Sequence, residues 1–540
     1  MSRKTLKSWQ QLAAEAAAMD DLQINQLFAD SSSRFEDYHL SHCGILFDYS
    51  KNRITDSVKA ALLELASECN VAQWRDAMFA GDAINHTENR AVLHTALRSH
   101  RCPDAAVNQQ VAQELEHIKR FSEQLRSGEL SGYTGKPLLD IVCLGVGGSN
   151  LGPQMVTEAL LKKPEDTVNL HYISTVDSVP LEQLLVTLNP ETTLFIVSSK
   201  TFTTTETTLN AAAAKRWLLS QAPATALAQH FVAITVDTAR AQAFGIAPAY
   251  CFKIWDWVGG RFSLWSAIGL PIAIGRGYQA FASLLAGAAA MDEHFASTDL
   301  DQNMPVMMAL VGIWNTTFLN INTLAILPYD QSLAQLPAYL QQAEMESNGK
   351  SVNWQGEVID YKTCPVLWGQ TGINGQHAFY QLLHQGTHDV AADFIASAIS
   401  CGETALHHQT LIANCFAQSQ ALMNGVSAAE VKADLVATGG SAETTERLAP
   451  HKVHPGNRPS NTLVLNTLDA YHLGAVIALY EHKIFVQGVI WEIYSFDQWG
   501  VQLGKLLAAN MLEDVQSKQP VKQYDSSTNG LLNYLKSVSM

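Results

Sequence analysis

The chain has 540 residues, which is too long for one hydrophobic core and predicts two or more domains. Hydrophobic residues make up 47% of it and charged residues 16%, as in an ordinary globular protein. The 35 basic and 51 acidic residues give a net charge of −16, which argues against binding to nucleic acid or to an anionic membrane. We therefore expect no nucleic-acid or membrane partner, and an anionic ligand would need the few cations concentrated at its site.

The cysteines and the N-terminus bear on the compartment. Eight irregularly spaced cysteines include no Cys-x-x-Cys pair, and residues 1–22 lack the apolar core of a signal peptide. No segment reaches about 18 uninterrupted apolar residues, and the nearest, 309–327, is broken by asparagines and threonines. Reduced, buried thiols in a cytoplasmic protein are the simplest interpretation.

The pattern of elements changes near residue 138. Residues 1 to about 130 have a mostly helical pattern, whereas later segments alternate short apolar runs with helices. This alternation predicts parallel, doubly wound sheets whose strands are buried on both faces. The predicted strands are 138–144, 168–174, 193–198 and 231–236, followed by 323–326, 365–368, 392–396 and 462–465. We expect two α/β domains that divide near 272–277, helices over 485–512, and a weakly patterned tail beyond residue 517.

A glycine-rich segment, GVGGSNLGP at 145–153, follows the first predicted strand. Glycines allow backbone N–H groups to approach a ligand closely, and Pro153 suits the first turn of a helix. The spacing does not fit the dinucleotide-binding fingerprint. A ligand cradle and a tight structural turn are equally well supported by this segment alone.

The next junction between strand and helix reads SSKTFTTTE at 198–206. Thr203 and Glu206 have capping-box spacing, which predicts a helix start. Lys200, several hydroxyls and the first N–H groups of a helix favour a phosphate site over simple capping. The Walker spacing is absent, which disfavours a nucleoside triphosphate.

Arg261 lies between two glycines and an aromatic run in WVGGRFSLW, residues 257–265. An arginine packed on tryptophan is one interpretation of this pattern. A fixed cation that stabilises a developing oxyanion is the other.

Glu346 follows a helical pattern that runs from Leu336 to about Glu344 and then turns through Asn-Gly. A carboxylate at such a boundary can be partly desolvated and directed at a bound molecule, as a general base requires. Glu344 and Glu346 are two residues apart and would not share a helix face. One carboxylate acting alone is therefore favoured over an acid/base pair, and a solvated charge on a turn is the alternative.

Two further residues stand out later in the chain. NGQHAFYQ at 374–381 places His377 at a predicted helix start on the carboxyl edge of the second sheet, where ligands bind in open α/β folds. Lys505 closes FDQWGVQLGK at 496–505 on a predicted helix. A structural histidine and a solvated lysine are the alternatives.

These blocks together resemble the glucose-6-phosphate isomerase (phosphoglucose isomerase) family. The matching strings are GVGGSNLGP, SSKTFTTTET, GGRFSLWSAIGLP, MESNGK, NGQHAFYQLLHQGT and FDQWGVQLGK. The resemblance implies an α/β fold of two doubly wound, mostly parallel sheets in three-layer αβα sugar-isomerase domains, with a helical N-terminal part and a C-terminal helical arm. The implied boundaries are 1–105 for the N-terminal part on the large domain, 106–274 for the small domain, 275–512 for the large domain and 513–540 for the tail.

The resemblance also implies reversible isomerisation of glucose 6-phosphate to fructose 6-phosphate, in glycolysis and gluconeogenesis, through ring opening and a cis-enediol(ate). It implies Glu346 as the base, Arg261 as the stabiliser of the enediolate, and His377 with Lys505 as the ring-opening pair. The implied substrate contacts are Gly148, Ser149, Ser199, Lys200, Thr201, Thr204, Gln342 and Gln498, and Glu206 would orient His377. It implies a cytoplasmic homodimer in which His377 comes from the neighbouring subunit, with no cofactor and no metal.

The chain departs from the family pattern at three places, none of which removes an implied catalytic group. Gln370-Thr371-Gly372-Ile373 replaces the usual Glu-Pro-Gly-Thr, Gln502 replaces a usual Glu, and Asn150 stands where Asp is common. Two other interpretations are an isomerase of another sugar phosphate, such as mannose 6-phosphate, and a non-catalytic regulator that binds a sugar phosphate. A regulator would have no use for Glu346 and Arg261 together with the implied ring-opening pair.

Overall fold

The computed structural model describes residues 3–19, 21–98 and 102–539. The chain divides into two compact units, Met1–Ser495 and Phe496–Met540. The strands all belong to the first unit. They are β1 (His39–His42), β2 (Ile45–Asp48), β3 (Asp140–Leu144), β4 (Asn169–Ile173), β5 (Thr193–Ser198), β6 (Phe231–Thr235), β7 (Cys251–Lys253), β8 (Thr323–Pro328), β9 (Val366–Gly369), β10 (Ala391–Ile399) and β11 (Ser460–Thr467).

The helices of the first unit surround two sheets. They are α1 (Lys7–Ala17), α2 (Ile24–Asp30), α3 (Arg34–Asp37), α4 (Asp56–Glu68), α5 (Val71–Ala80), α6 (Ala105–Arg126), α7 (Leu151–Ala159), α8 (Ser178–Thr187), α9 (Thr205–Leu219), α10 (Leu227–His230), α11 (Thr238–Phe244), α12 (Leu270–Arg276), α13 (Tyr278–Ser297), α14 (Met304–Ile313), α15 (Leu336–Gln341), α16 (Gly372–Gln376), α17 (Tyr380–Gln385), α18 (Ala405–Asn424), α19 (Ala428–Ala437), α20 (Ala442–Lys452) and α21 (Ala470–Trp491).

The smaller sheet has five parallel strands in the order β4-β3-β5-β6-β7. The six residues of β5, TLFIVS, are all buried, because helices cover both faces of a parallel sheet. Its carboxyl edge carries the glycine-rich segment after β3 and the hydroxyl-rich segment after β5. The topology therefore brings these two segments to the same edge.

The larger sheet has six strands in the order β1-β2-β11-β10-β8-β9. The pairs formed by β8, β9, β10 and β11 are parallel, whereas β1 and β2 form an antiparallel hairpin whose second strand pairs with β11. Sequence analysis missed this hairpin within a region that it assigned mainly to helix. The two strands have four residues each, and the alternating burial of β2 is a weak signal over so short a run.

Helix α21 forms the centre of the first unit. It packs against α13 and α14, and every residue from Leu473 to Trp491 is buried. The helix is long and apolar enough to cross a membrane by length and composition, but its apolar window is completely buried inside the protein. Its burial identifies it as a core helix, which is why its charged residues need internal partners.

All eight predicted strands are present, and the fold class is confirmed. Strand β5 matches its predicted bounds, whereas the domain break near 272–277 stays a prediction. The three-residue strand β7 was not predicted. All eight cysteines lie in the described part of the chain and are free; five are buried as predicted, but Cys43 and Cys364 are half-buried and Cys401 is exposed. The domain boundaries at 105, 274 and 512 remain predictions.

The second unit consists mainly of two helices, α22 (Gln502–Gln516) and α23 (Ser526–Ser539). The first was predicted, but α23 lies in the segment that was expected to be a weakly patterned tail. Tyr524 donates a hydrogen bond to Asp514 of α22, and Asn533 of α23 accepts one from the Val521 backbone. These polar contacts hold the segment between the two helices. Contacts of this kind leave no apolar pattern in the sequence from which they could be predicted.

Candidate active site

Arg261 is a rigidly held, buried cation. It lies in a 3₁₀ helix, Gly260–Trp265, and its side chain is 1% exposed. Its Nε donates to Ser347 Oγ at 2.6 Å, and its Nη2 donates to the carbonyl oxygen of Ser495 at 2.5 Å. The aromatic ring under its guanidinium belongs to Phe262, at 5.4 Å, and not to a tryptophan. These bonds fix the direction of the positive charge, as the oxyanion interpretation requires.

Glu346 faces this cation. Its Oε2 lies 3.7 Å from Arg261 Nη1 and accepts a hydrogen bond from Gln342 Nε2 at 3.0 Å. The Glu346 side chain is 19% exposed, so it is partly desolvated and still reachable. Three predicted site residues, Gln342, Glu346 and Arg261, are therefore brought into one group.

The backbone around Glu346 differs from the prediction. Helix α15 continues into a π-helix, Gln342–Glu346, and helical residues extend through Asn348 before the chain turns at Gly349. A π-helix is a rare local expansion of an α-helix and often occurs at functional sites. The predicted end near Glu344 was too early, because the added π-turn continues the helix past the point where the apolar pattern stops.

Glu344 and Glu346 have different environments, as their spacing predicted. Glu344 is 1% exposed and accepts a hydrogen bond from Lys483 Nζ at 2.9 Å. Glu346 instead contacts Gln342 and Arg261. The two carboxylates do not form an acid/base pair, and only Glu346 is directed at the group around Arg261.

The glycine-rich segment approaches this group through its backbone. Residues Gly147–Ser149 form a 3₁₀ turn, and a Cβ added to Gly148 would lie 2.0 Å from the carbonyl oxygen of Gly260. Gly147 has a φ of 56°, and a Cβ added there would lie 3.1 Å from Gln342 Nε2. Close packing against residues 260 and 342 therefore explains why both positions are glycine. The same packing places the turn beside Arg261 and Glu346.

The hydroxyl-rich segment leads from β5 into α9. Ser199 Oγ donates to Thr204 Oγ1 at 3.0 Å, and the hydroxyls of Thr201 and Thr203 lie 2.6 Å apart. The predicted capping box is wrong: the N-cap residue is Thr204, whose hydroxyl is engaged with Ser199 rather than with the helix N–H groups. The predicted helix start is correct to within about two residues, a usual precision for helix ends.

Lys200 links this segment to the one that carries Arg261. Its Nζ donates to the carbonyl oxygens of Asp256 at 3.0 Å and Val258 at 3.2 Å. Burial lowers the pKa of Lys200, and the nearby Asp256 carboxylate opposes that shift. The Asp256 carboxylate lies 3.5 Å from Lys200 Nζ, and a phosphate would offer this ammonium a second full counter-charge.

His377 lies on the exposed surface at the C-terminal end of α16, whereas the sequence placed it at a helix start. The short α16 begins at Gly372, with two residues between it and the end of β9, and so separates His377 from the strand. Among the described residues, no hydrogen bond or ion pair joins His377 to Glu346, Arg261 or Glu206. Glu206 itself lies in the first turn of α9 and is half-buried.

Lys505 and Gln498 belong to the second unit. Lys505 is exposed in the first turn of α22, which confirms that it is a helical lysine. Gln498 precedes a 3₁₀ turn, Trp499–Val501, and is half-buried.

Sequence reasoning missed the residues that hold the catalytic candidates in place. Ser347 and Ser495 accept hydrogen bonds from the Arg261 guanidinium. Lys350 Nζ donates to the carbonyl oxygens of Ser347 at 2.9 Å and Tyr494 at 2.7 Å. Ser347 and Lys350 lie inside the MESNGK block, so their proximity to Glu346 was a usable signal. Ser495 directly precedes the FDQWG block, but nothing in the sequence relates it to Arg261.

Comparison with known proteins gives one family. The phosphoglucose isomerase family model matches residues 48–532. A protein of Pseudoalteromonas translucida named glucose-6-phosphate isomerase is 52% identical over 541 residues, which cover 99% of each chain. Glucose-6-phosphate isomerase 1 of Colwellia psychrerythraea is 53% identical over 544 residues, again with 99% of each chain covered.

A solved structure agrees with these sequence matches. The crystal structure of a glucose-6-phosphate isomerase from Chlamydia trachomatis matches the fold with a TM-score of 0.85 over 100% of both chains, at 30% identity. The two-sheet α/β architecture is therefore shared with a solved glucose-6-phosphate isomerase.

Proposed function

Because the chain belongs to the phosphoglucose isomerase family, we propose that it interconverts glucose 6-phosphate and fructose 6-phosphate in glycolysis and gluconeogenesis. The observation that carries the proposal is the pairing of a partly exposed carboxylate, Glu346, with a buried and immobilised cation, Arg261. Aldose–ketose isomerisation needs this combination, because a proton must move while negative charge develops on a neighbouring oxygen.

The isomerisation step assigns one role to each of these groups. The Glu346 carboxylate removes the proton on C2 of the open-chain aldose, and the C2–H electron pair forms the C1–C2 double bond of a cis-enediolate. The C1 oxygen takes the negative charge, and Arg261 stabilises it. The hydroxyl proton on O2 moves to O1, and Glu346 then returns the carbon-bound proton to C1 as the C2 carbonyl forms. Since Oε2 already contacts Gln342 and Arg261, we assign the proton transfer to Oε1.

Ring opening precedes this step and needs its own acid and base. We assign it to Lys505 together with His377 of the neighbouring subunit, oriented by Glu206. The exposed position of His377 supports a role toward a second chain. The assignment of both residues comes from the matching family blocks.

The phosphate of the substrate is assigned to the segment between β5 and α9. Ser199, Lys200, Thr201 and Thr204 supply hydroxyl, ammonium and helix N-terminal donors, and α9 has 15 residues with a dipole that favours an anion. The remaining contacts to the sugar and its phosphate are assigned to Gly148, Ser149, Gln342 and Gln498.

We place the enzyme in the cytoplasm as a homodimer with shared active sites. The second unit supports association, because large apolar side chains remain exposed on both of its helices. They are Leu503 at 65%, Leu506 at 62%, Leu531 at 68% and Tyr534 at 69%. A partner that covers them would remove an unfavourable apolar surface from water.

A coupled assay tests the reaction. Purified protein is given fructose 6-phosphate, and the glucose 6-phosphate formed is oxidised by a dehydrogenase whose reduced nicotinamide is followed by absorbance. We expect rapid turnover of fructose 6-phosphate and no comparable turnover of mannose 6-phosphate. Faster turnover of mannose 6-phosphate would instead indicate a mannose-6-phosphate isomerase. Tight binding of a sugar phosphate without turnover would indicate a non-catalytic regulator.

A further inference from the structure

Three consecutive charged residues interrupt the apolar core helix α21. Glu481, His482 and Lys483 are each at most 2% exposed. Charged groups in such a position are costly unless each is paired. Each of the three has a partner on a different element, so the triplet joins α21 to several parts of the fold.

Two of these partners belong to the segments that carry the catalytic candidates. Glu481 Oε1 accepts a hydrogen bond at 2.8 Å from Trp265, at the end of the 3₁₀ helix that holds Arg261. Lys483 Nζ donates at 2.9 Å to Glu344, in the π-helix that holds Glu346. Helix α21 therefore binds both segments within one helical turn.

The contact at Lys483 is the one closest to the proposed base. Glu344 is two residues before Glu346 in the same π-helix. Residue 484 adds a second attachment, because Asn348 Nδ2 donates to the carbonyl oxygen of Ile484 at 3.0 Å. The π-helix is thus bound to α21 both before and after Glu346.

A π-helix needs such external attachment. Its expanded backbone is less favourable than the regular α-helix and persists where surrounding contacts determine it. We propose that Lys483, by binding Glu344, is a positioning residue that maintains the π-helix and thereby sets the separation of Glu346 from Arg261. This inference rests on the proposed function, since it concerns the efficiency of the same proton transfer.

The stabilising contribution of the pair can be separated from its positioning role. Lys483→Met removes the ammonium and leaves the Glu344 carboxylate buried without its cation, which is strongly destabilising. The double variant Lys483→Met/Glu344→Gln also removes that charge, so folding stability should recover in part, with the remaining loss due to a buried amide that has lost its donor. The positioning hydrogen bond is absent from both variants.

We expect the double variant to keep a kcat about ten- to hundredfold below wild type, because a small misplacement of a reacting group has effects of this size. Its Michaelis constant should change less than kcat, since the phosphate segment is untouched and Gln342 alone of the assigned substrate contacts lies in the π-helix. Recovery of kcat along with stability would overturn the proposal and reduce the pair to a structural role.

A matched control is available one residue away. His482 is equally buried, and its Nε2 lies 2.7 Å from Asp292 of α13, a residue that belongs to neither catalytic segment. His482→Leu should lower the melting temperature and leave kcat close to wild type. A comparable loss of kcat in this variant would show general loosening of α21 and would also overturn the proposal.

Crystal structures of the wild type and the double variant separate this inference from the proposed reaction. If the wild type fails to isomerise fructose 6-phosphate, the proposed function is wrong. The comparison of the two crystal structures then tests by itself whether Lys483 maintains the π-helix. We expect the π-helix to relax in the double variant and the distance from Arg261 Nη1 to Glu346 Oε2 to depart from 3.7 Å. An unchanged π-helix and an unchanged distance would contradict the role of Lys483.

Discussion

Individual residues in this protein acquire their roles from the partners that the fold gives them. Glu344 and Glu346 are identical in chemistry and almost adjacent, yet one forms a buried ion pair and the other faces a fixed guanidinium across 3.7 Å. The sequence indicated that the two would differ and favoured Glu346, because the MESNGK block identified it. It could not identify Lys483 as the partner of Glu344, since 139 residues separate them and only the fold brings them together.

Glu346→Gln tests the base at the level of one atom. The amide keeps the size and hydrogen-bonding shape of the side chain but cannot accept the C2 proton. We expect substrate binding to persist and kcat to fall by at least about 10²–10⁴-fold, as is typical for a positioned acid/base group. Glu357→Gln, an exposed carboxylate in the same part of the chain, should behave as wild type. Near-normal turnover by Glu346→Gln would exclude Glu346 as the base.

Lys200→Ala tests the phosphate segment. A contact to a non-reacting phosphate acts in the ground state and the transition state alike, so its loss should appear mainly in the Michaelis constant. We expect an increase of about ten- to hundredfold, which corresponds to one hydrogen bond between charged groups. Steady-state kinetics with fructose 6-phosphate measure it, and Lys163→Ala, an exposed lysine in the same unit, is the control. An unchanged Michaelis constant would place the phosphate elsewhere.

Whole elements were predictable where their pattern was long or repeated. Every parallel strand except the three-residue β7 was found, because a continuous apolar run between helices has few other interpretations. The hairpin of β1 and β2 was missed because each strand is short. Helix α23 was missed although Leu531, Tyr534, Leu535 and Val538 recur at helical spacing. The π-helix at Gln342–Glu346 depends on tertiary contacts and has no local signal.

Gly148→Ala tests the contact between two elements of the site. The added Cβ would lie 2.0 Å from the backbone oxygen of Gly260, so the turn at 147–149 must move away from the Arg261 segment. We expect kcat/KM to fall and the free energy of unfolding to decrease by about 1–3 kcal/mol, as for other overpacked positions. Gly530→Ala in α23, where an added Cβ has nothing within 4 Å, controls for the substitution itself.

Kinetics and urea unfolding of the two glycine variants give the result. A Gly148→Ala protein with wild-type stability and activity would mean that the turn does not need its close approach to Gly260. The glycine would then have to be explained by ligand contact instead, which was the other interpretation of this segment.

At the scale of the whole molecule, the proposed mechanism takes His377 of each site from a second chain. The proposed base and its cation are assembled within the first unit, whereas among the described residues no hydrogen bond or ion pair joins His377 to either of them. The second unit exposes leucines and a tyrosine on α22 and α23. Both facts are explained if two chains associate and each site takes His377 from the other chain.

We therefore expect a dimer whose two sites are each built from both chains, and subunit complementation can test this. Dimers that carry Glu346→Gln and dimers that carry His377→Ala are each inactive under the proposed mechanism. The two are mixed under conditions that allow chains to exchange, and exchange is verified by mass spectrometry or by two different affinity tags.

If His377 serves the neighbouring chain, each mixed dimer has one site with both defects and one site with neither. Activity should then reappear and approach half of the wild-type value per mixed dimer, because one of its two sites is intact. If His377 serves its own chain, every site in a mixed dimer carries one defect, and activity stays absent. The activity of the mixed dimers thus shows which chain's site His377 serves. Absence of activity after verified exchange would contradict the shared site.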